Sequence, residues 1–129
     1  MNVLAIDYGQ RTIGMAWYQE GLDVVLPYGI ISAKTKAEQV HKLSSLIKEE
    51  GINKVVFGLP LTLDDGSENH HTKRIREFVK QLESTVDVPI VFTDERLSSQ
   101  AADEMGGEVS RDEKAAMVIL ESFKMYGAL

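Results

Sequence analysis

Three acidic side chains, Asp7, Glu95 and Asp112, stand where the chain pattern puts two strand ends and a helix start. Asp7 follows an apolar run, Val3-Leu-Ala-Ile6, that reads as a strand buried on both faces, and a glycine turn comes next at Gly9. A carboxylate placed there must be solvated, paired or metal-bound, because burying it bare is costly. Mg²⁺ and Mn²⁺ prefer carboxylate oxygens, and Mg²⁺ takes few of them, keeping water and substrate phosphate in its other positions. Two such ions about 4 Å apart activate a water and stabilise the leaving oxygen of a phosphodiester. That chemistry needs acids converging from separate elements, and these three are the candidates.

Each has a structural alternative. Asp before Gly is ordinary turn chemistry. Asp94 and Glu95 are neighbours, so on an extended backbone they point to opposite faces and only one shares a site with Asp7; otherwise they are a solvated strand end beside Arg96. Asp112 in the first turn of a helix is stabilised by the macrodipole by about 0.3–1 kcal/mol without any site.

Cations are the second ingredient. Lys73, Arg74, Arg76 and Lys80 form a basic stripe suited to backbone phosphates. Arg11 lies near the acidic centre, as a phosphate contact or a solvated turn residue, and Arg96 either holds phosphate or pairs with Asp94. Gly66-Ser67 offers backbone N–H groups to a phosphate, with Ser67 equally readable as a plain N-cap. His70 and His71 are adjacent rather than at helical ligand spacing and read as a solvated face. His41 has no visible partner, and Trp17 sits among apolar neighbours as core.

The elements that must position these groups follow from periodicity. Residues 3–6, 12–18 and 24–31 read as three strands on short links, an antiparallel meander, with Pro27 marking an edge or a bulge. Thr35-Lys-Ala-Glu38 is a capping box opening a helix with Val40, Leu43, Leu46 and Ile47 on one face, and Gly51 ends it in a left-handed position. Residues 54–58 form a fourth strand. A loop leads to a second helix with Ile75, Phe78, Val79 and Leu82 inward, then residues 88–93 form a fifth strand. A short helix spans 98–105, breaking at Gly106-Gly107. The last helix starts from a second capping box, Ser110-Arg-Asp-Glu113, with Ala115, Ala116, Ile119, Leu120 and Phe123 inward. The order β-β-β-α-β-α-β-α-α gives an α/β fold, a mixed five-stranded sheet covered by helices, with residues 1–129 as one domain.

The totals agree. The 129 residues, 43% hydrophobic and 26% charged, suit a soluble globular domain. No apolar run approaches the roughly 18–20 residues of a membrane span, no signal-peptide pattern opens the chain, and cysteine is absent, which fits the cytoplasm. The net charge of −6 weighs against a nucleic-acid partner overall, but the basic stripe and any bound cations reverse the sign locally.

Four blocks then resemble one family: Asp7-Tyr-Gly-Gln-Arg-Thr-Ile-Gly14, Val56-Phe-Gly-Leu-Pro-Leu61 with Asp65-Gly-Ser67, Thr93-Asp-Glu-Arg-Leu-Ser-Ser99, and Asp112-Glu-Lys-Ala-Ala116. In this order, over nearly the whole chain, they resemble the YqgF/RuvX family. Its members are Holliday-junction-resolvase-like proteins of RNase H-like fold, assigned as nucleases of the 16S rRNA precursor. The resemblance implies a sheet order of 3-2-1-4-5 with strand 2 antiparallel, Asp7, Glu95 and Asp112 as the catalytic and metal-binding acids, and Mg²⁺ or Mn²⁺ as cofactor. It implies a metal-dependent hydrolase of phosphodiester bonds in structured RNA, acting in 16S rRNA maturation, as a monomer or weak homodimer with no membrane partner. Arg11, Ser67, Lys73, Arg74, Arg76, Lys80 and Arg96 are the expected nucleic-acid contacts. The alternatives are a branched-DNA resolvase, for which a dimer suits two cuts across a junction, and a non-catalytic RNA-binding assembly factor; nucleotide binding on an actin-like fold is opposed by the chain's length.

Three departures stand out. RNase H-like nucleases commonly carry a second acid at the end of the fourth strand, where this chain has Gly58-Leu-Pro60. Glu95, one strand spacing further out (about 4.8 Å), takes the role. Family members usually have two basic residues after the first glycine; Gln10-Arg11-Thr12 keeps one. The segment before the last helix is short and acidic, with Asp103, Glu104 and Glu108 against Arg111.

Overall fold

The computed structural model describes residues 1–22, 24–61, 69–94 and 109–129. Five strands, β1 (Asn2–Asp7), β2 (Thr12–Gln19), β3 (Leu26–Ser32), β4 (Lys54–Leu59) and β5 (Ile90–Asp94), form one sheet ordered β3-β2-β1-β4-β5. β2 is antiparallel to β1 and β3, whereas β1, β4 and β5 run parallel. The described helices are α1 (Lys36–Glu49), α2 (His70–Glu83) and α3 (Arg111–Tyr126).

β1 is central and fully buried from Val3 to Ile6, so its residues alternate between two cores. Leu4 and Ile6 join Phe57 and the inward side chains of α1 and α2, including Leu43, Ile47, Ile75 and Phe78. Val3 and Ala5 join Ala16, Val56 and the α3 residues Ala116, Ile119 and Leu120. Small residues on this second face let one helix lie close across the sheet, which is how α3 comes to approach the end of β1.

The helix starts refine the sequence reading. Thr35 accepts from the Glu38 amide at 3.2 Å, but the Glu38 carboxylate accepts from Lys34 N–H at 3.3 Å, one residue before the cap. α2 is capped by Asn69, not Ser67: Asn69 and Thr72 form the reciprocal box, and the Asn69 amide also donates to the Pro60 carbonyl at 2.9 Å. Gly51 ends α1 at φ +64, as the pattern requires.

β3 begins at Leu26, two residues later than expected, and is an edge strand with a bulge: Met15 faces Gly29 while Ala16 faces Pro27. Both readings of Pro27 hold. Tyr28 is the extra residue, and Gly29 next to it takes the bend at φ +108. β5 begins at Ile90 rather than residue 88, because Pro89 has no N–H to give the ladder; its carbonyl still accepts from Val55 N–H at 3.0 Å. The helix expected over 98–105 lies outside the described residues, as do Ser67, Glu95 and Arg96.

Candidate active site

Asp7, the last residue of β1, follows Val3 and Ala5 on the face covered by α3. It is half-buried and stands in register with Gly14 of β2. Gly14 is the hinge of the arrangement. A Cβ added there would collide with the carbonyl carbon and oxygen of Asp112 and come within 2.8 Å of the Asp112 Cβ. The missing side chain therefore seats the first turn of α3 directly on β2, one strand spacing from Asp7. Residues 105 positions apart in sequence are brought to one end of the sheet by a single glycine.

That first turn is held by four hydrogen bonds. Ser110 accepts from the Glu113 amide at 3.2 Å and donates its hydroxyl proton to Glu113 Oε1 at 2.9 Å. Glu113 Oε2 accepts from Gly29 N–H, at the β3 bulge, at 2.8 Å. Thr12, opening β2, donates its hydroxyl to Asp112 Oδ2 at 3.2 Å. Ser110 caps the helix, but the box expected with Glu113 is not reciprocal: the glutamate takes the Ser110 hydroxyl and the Gly29 N–H instead of the Ser110 main chain, and so ties the helix to the edge strand.

On the other side of Asp7, the β1–β4 register continued one step aligns it with Gly58, and Gly58 pairs with Thr93. Glycines thus flank Asp7 on both neighbouring strands, and the Gly14 side is filled by the main chain of Asp112. Thr93 is fully buried and its hydroxyl has no hydrogen-bond partner. Asp94 is in register with Leu59, which belongs to the α1/α2 core, so alternation sets it on the face opposite Asp7. Glu95 is outside the described residues.

Among the described residues no three His, Cys, Asp or Glu side chains gather. The structure does bring together Asp7 and Asp112, two hard oxygen donors separated by a glycine. That is the number of carboxylates a Mg²⁺ site ordinarily draws from protein, with water and phosphate completing it, so the donor set fits the implied cofactor.

The basic stripe divides. Lys73, Arg76 and Lys80, spaced by three and four along α2, line one cavity of about 420 Å³ with Asn69 and Glu77, and the Arg76 guanidinium lies 4.8 Å over the Phe92 ring. Arg74 instead acts electrostatically on Tyr8, the neighbour of Asp7. Arg11 is exposed in the connection between β1 and β2.

Burial pushes the Tyr8 phenol above its ordinary value, and the nearby Arg74 charge offsets this in part. Tyr28 is raised too, by burial first and then by the charge of Glu50 and a hydrogen bond to it. A folded-state pKa above the unfolded one means stability that is complete below about pH 10 and lost as pH rises through the folded value. The urea midpoint of the wild type is therefore expected to fall above about pH 10. Tyr8→Phe, which keeps the stack on Phe78 (ring centroids 4.5 Å apart), is expected to show a shallower decline; parallel curves would remove Tyr8 as a cause.

Sequence reasoning missed Thr12, Gly14, Gln39 and Glu113 as site-building residues. The signal for two of them was present: Thr12, Gly14 and Ala16 alternate along one strand as small residues on one face, a strip on which a helix backbone can rest. Gln39 gave none. It is 1% exposed on α1 and donates to the carbonyls of Gly9 and Gln10 at 3.0 and 3.1 Å, holding the turn after Asp7.

A mixed sheet of this order with helices on both faces is an RNase H-like domain. The family model described as RuvX, Holliday junction resolvase, matches residues 1–124, and the chain belongs to that family. It is 35% identical to a Maridesulfovibrio salexigens protein named "Putative pre-16S rRNA nuclease", over 95% of this chain and 97% of that one. A Bacillus subtilis protein of the same name is 32% identical, over 95% and 96%. Among solved structures, T. thermophilus RuvC in complex with a Holliday junction substrate superposes with a TM-score of 0.66 at 14% identity, over 99% and 98% of the two chains. The fowlpox virus Holliday junction resolvase gives 0.57 at 11%, over 97% and 98%. These two likenesses concern the fold. No helix among the described residues is long and apolar enough to cross a membrane.

Proposed function

We propose that this chain is a metal-dependent nuclease that hydrolyses phosphodiester bonds of structured RNA in the maturation of precursor 16S rRNA, in the cytoplasm. The observation that carries the reading is the seating of Asp112 on Gly14, in register with Asp7, at the mouth of the sheet. The names of the curated relatives support the substrate. Asp7, Asp112 and Glu95 would hold Mg²⁺ or Mn²⁺, which when bound supplies the positive charge that phosphodiester hydrolysis needs. Thr12 orients Asp112, Arg11, Arg74 and Arg96 steady phosphates near the acids, and Lys73, Arg76 and Lys80 follow the backbone further along. Ser67 stays a candidate phosphate contact. The active unit is a monomer or a weak homodimer.

A branched-DNA resolvase is the second reading, favoured by the superposition on a resolvase solved with its junction. Incubating labelled hairpin RNA and four-way junction DNA with the protein, with and without Mn²⁺, tests both. Mn²⁺-stimulated cutting of RNA supports the first, cutting of the junction alone replaces it with the second, and binding without cutting of either leaves a non-catalytic assembly factor. Lys73→Glu combined with Arg76→Glu is expected to lower the slope of log affinity against log salt by about 1.4–1.8, since each phosphate contact contributes roughly 0.7–0.9. An unaltered slope would discard the stripe.

A further inference from the structure

A cavity of about 780 Å³ opens beside the candidate acids, at the corner where β2, β3 and α1 meet, lined by Arg11, Thr12, Ser32, Ala33, Lys34 and Glu38. It touches the acidic centre through Thr12, whose hydroxyl is bound to Asp112. Thr12 is paired with Ser32, and Lys34 lies two residues beyond. Its main chain is fixed from every side. Ala33 N–H donates to the Arg11 carbonyl at 3.1 Å, Lys42 Nζ to the Ser32 carbonyl at 2.8 Å, and the buried Gln39 amide to the two carbonyls preceding Arg11. The Lys34 amide is taken by Glu38, which leaves that carboxylate engaged.

What this rigid frame presents are two long cations. Among the described residues neither the Arg11 guanidinium nor the Lys34 ammonium has a hydrogen-bond or ion-pair partner, while Lys42, on the same wall, is spent on Ser32. Two unspent cations on a fixed backbone, next to a site that handles a phosphodiester, form a receptor for an anion on the same polymer.

We propose that the Arg11–Lys34 cavity is a subsite for a phosphate of the substrate strand adjacent to the scissile one, on the β3 side of Asp112. The inference rests on the nuclease reading above. Together with the α2 face near β5, it puts cations at both edges of the sheet and the acids between them, so the strand crosses the sheet end from β3 towards β5.

The test uses the full chain and a fluorescein-labelled hairpin RNA, with affinity measured across a salt series by anisotropy and cleavage measured in Mn²⁺. Lys34→Gln is expected to weaken binding about 5–10-fold, to raise KM by a similar factor with kcat within about twofold, and to reduce the salt slope by about 0.7–0.9. Arg11→Gln is expected to do the same, whereas Lys48→Gln, at the far end of α1, leaves the slope as in wild type. Lys34→Gln binding RNA with wild-type affinity and slope overturns the subsite while leaving the nuclease reading intact. Wild-type protein that neither binds nor cuts RNA overturns both.

Discussion

Asp7→Asn is expected to reduce Mn²⁺-stimulated RNA cleavage by roughly 10³-fold, the equivalent of about 4 kcal/mol of transition-state stabilisation. The substitution is nearly isosteric and removes one of the two carboxylates at this end of the sheet. Thermal stability should therefore hold or rise, because repulsion between neighbouring acids is relieved. Calorimetric titration with Mn²⁺ supplies the independent reading: the variant should bind the ion more weakly even without RNA. Cleavage at the wild-type rate would take Asp7 out of the mechanism. A large loss of stability would instead mean that the carboxylate serves the fold.

Gly14→Ala is expected to have the next largest effect, by a different route. The new methyl group meets main-chain atoms of Asp112, which cannot swing aside as a flexible side chain would. The start of α3 must lift, stretching the Thr12–Asp112 and Gly29–Glu113 hydrogen bonds. Overpacking of this kind costs about 1–3 kcal/mol, and a displacement of about 1 Å at a catalytic group lowers turnover on the order of 10²-fold. Denaturant unfolding and single-turnover cleavage measure the two separately. If stability falls but the folded fraction cleaves at the wild-type rate, the seating of Asp112 on β2 is not what aligns the acids.

Much of this architecture is legible in the chain because it is local. The unbroken run Val3–Ile6 announced a strand buried on both faces, and β1 is that strand. The positions of Leu43, Ile47, Ile75, Phe78 and Leu82 gave the inward faces of α1 and α2, and Gly51 marked a helix end by the backbone angle it alone adopts cheaply. The strand order was a different matter. Nothing in periodicity distinguishes 3-2-1-4-5 from other arrangements, and only the resemblance of the four blocks supplied it. Errors fell where two residues compete for one role. Asn69 caps α2 rather than Ser67 because it closes a reciprocal pair with Thr72 and also reaches the Pro60 carbonyl.

The site itself was half legible. Asp7 and Asp112 stood out as acids at element ends, but their convergence depends on Gly14, which offers no side chain to notice. Glu113 read as a cap because spacing alone reveals contacts within a turn, not one 84 residues away with Gly29. The stripe on α2 read as one feature because its four cations are close in sequence. Helical geometry splits them, setting Lys73, Arg76 and Lys80 apart from Arg74, which turns to Tyr8.

The bulge in β3 has a consequence for the protein's company. An outermost strand with free amides is a template onto which a foreign chain can zip, and Leu26 and Ile30 would make this one adhesive. Pro27 has no amide to offer, and the Gly29 amide is already claimed by Glu113. At the other margin Leu129 N–H occupies the Phe92 carbonyl. Severing the Glu113 tie would thus loosen the helix that carries Asp112 and bare a polymerising border at once, so aggregation and inactivity should travel together in variants of that glutamate.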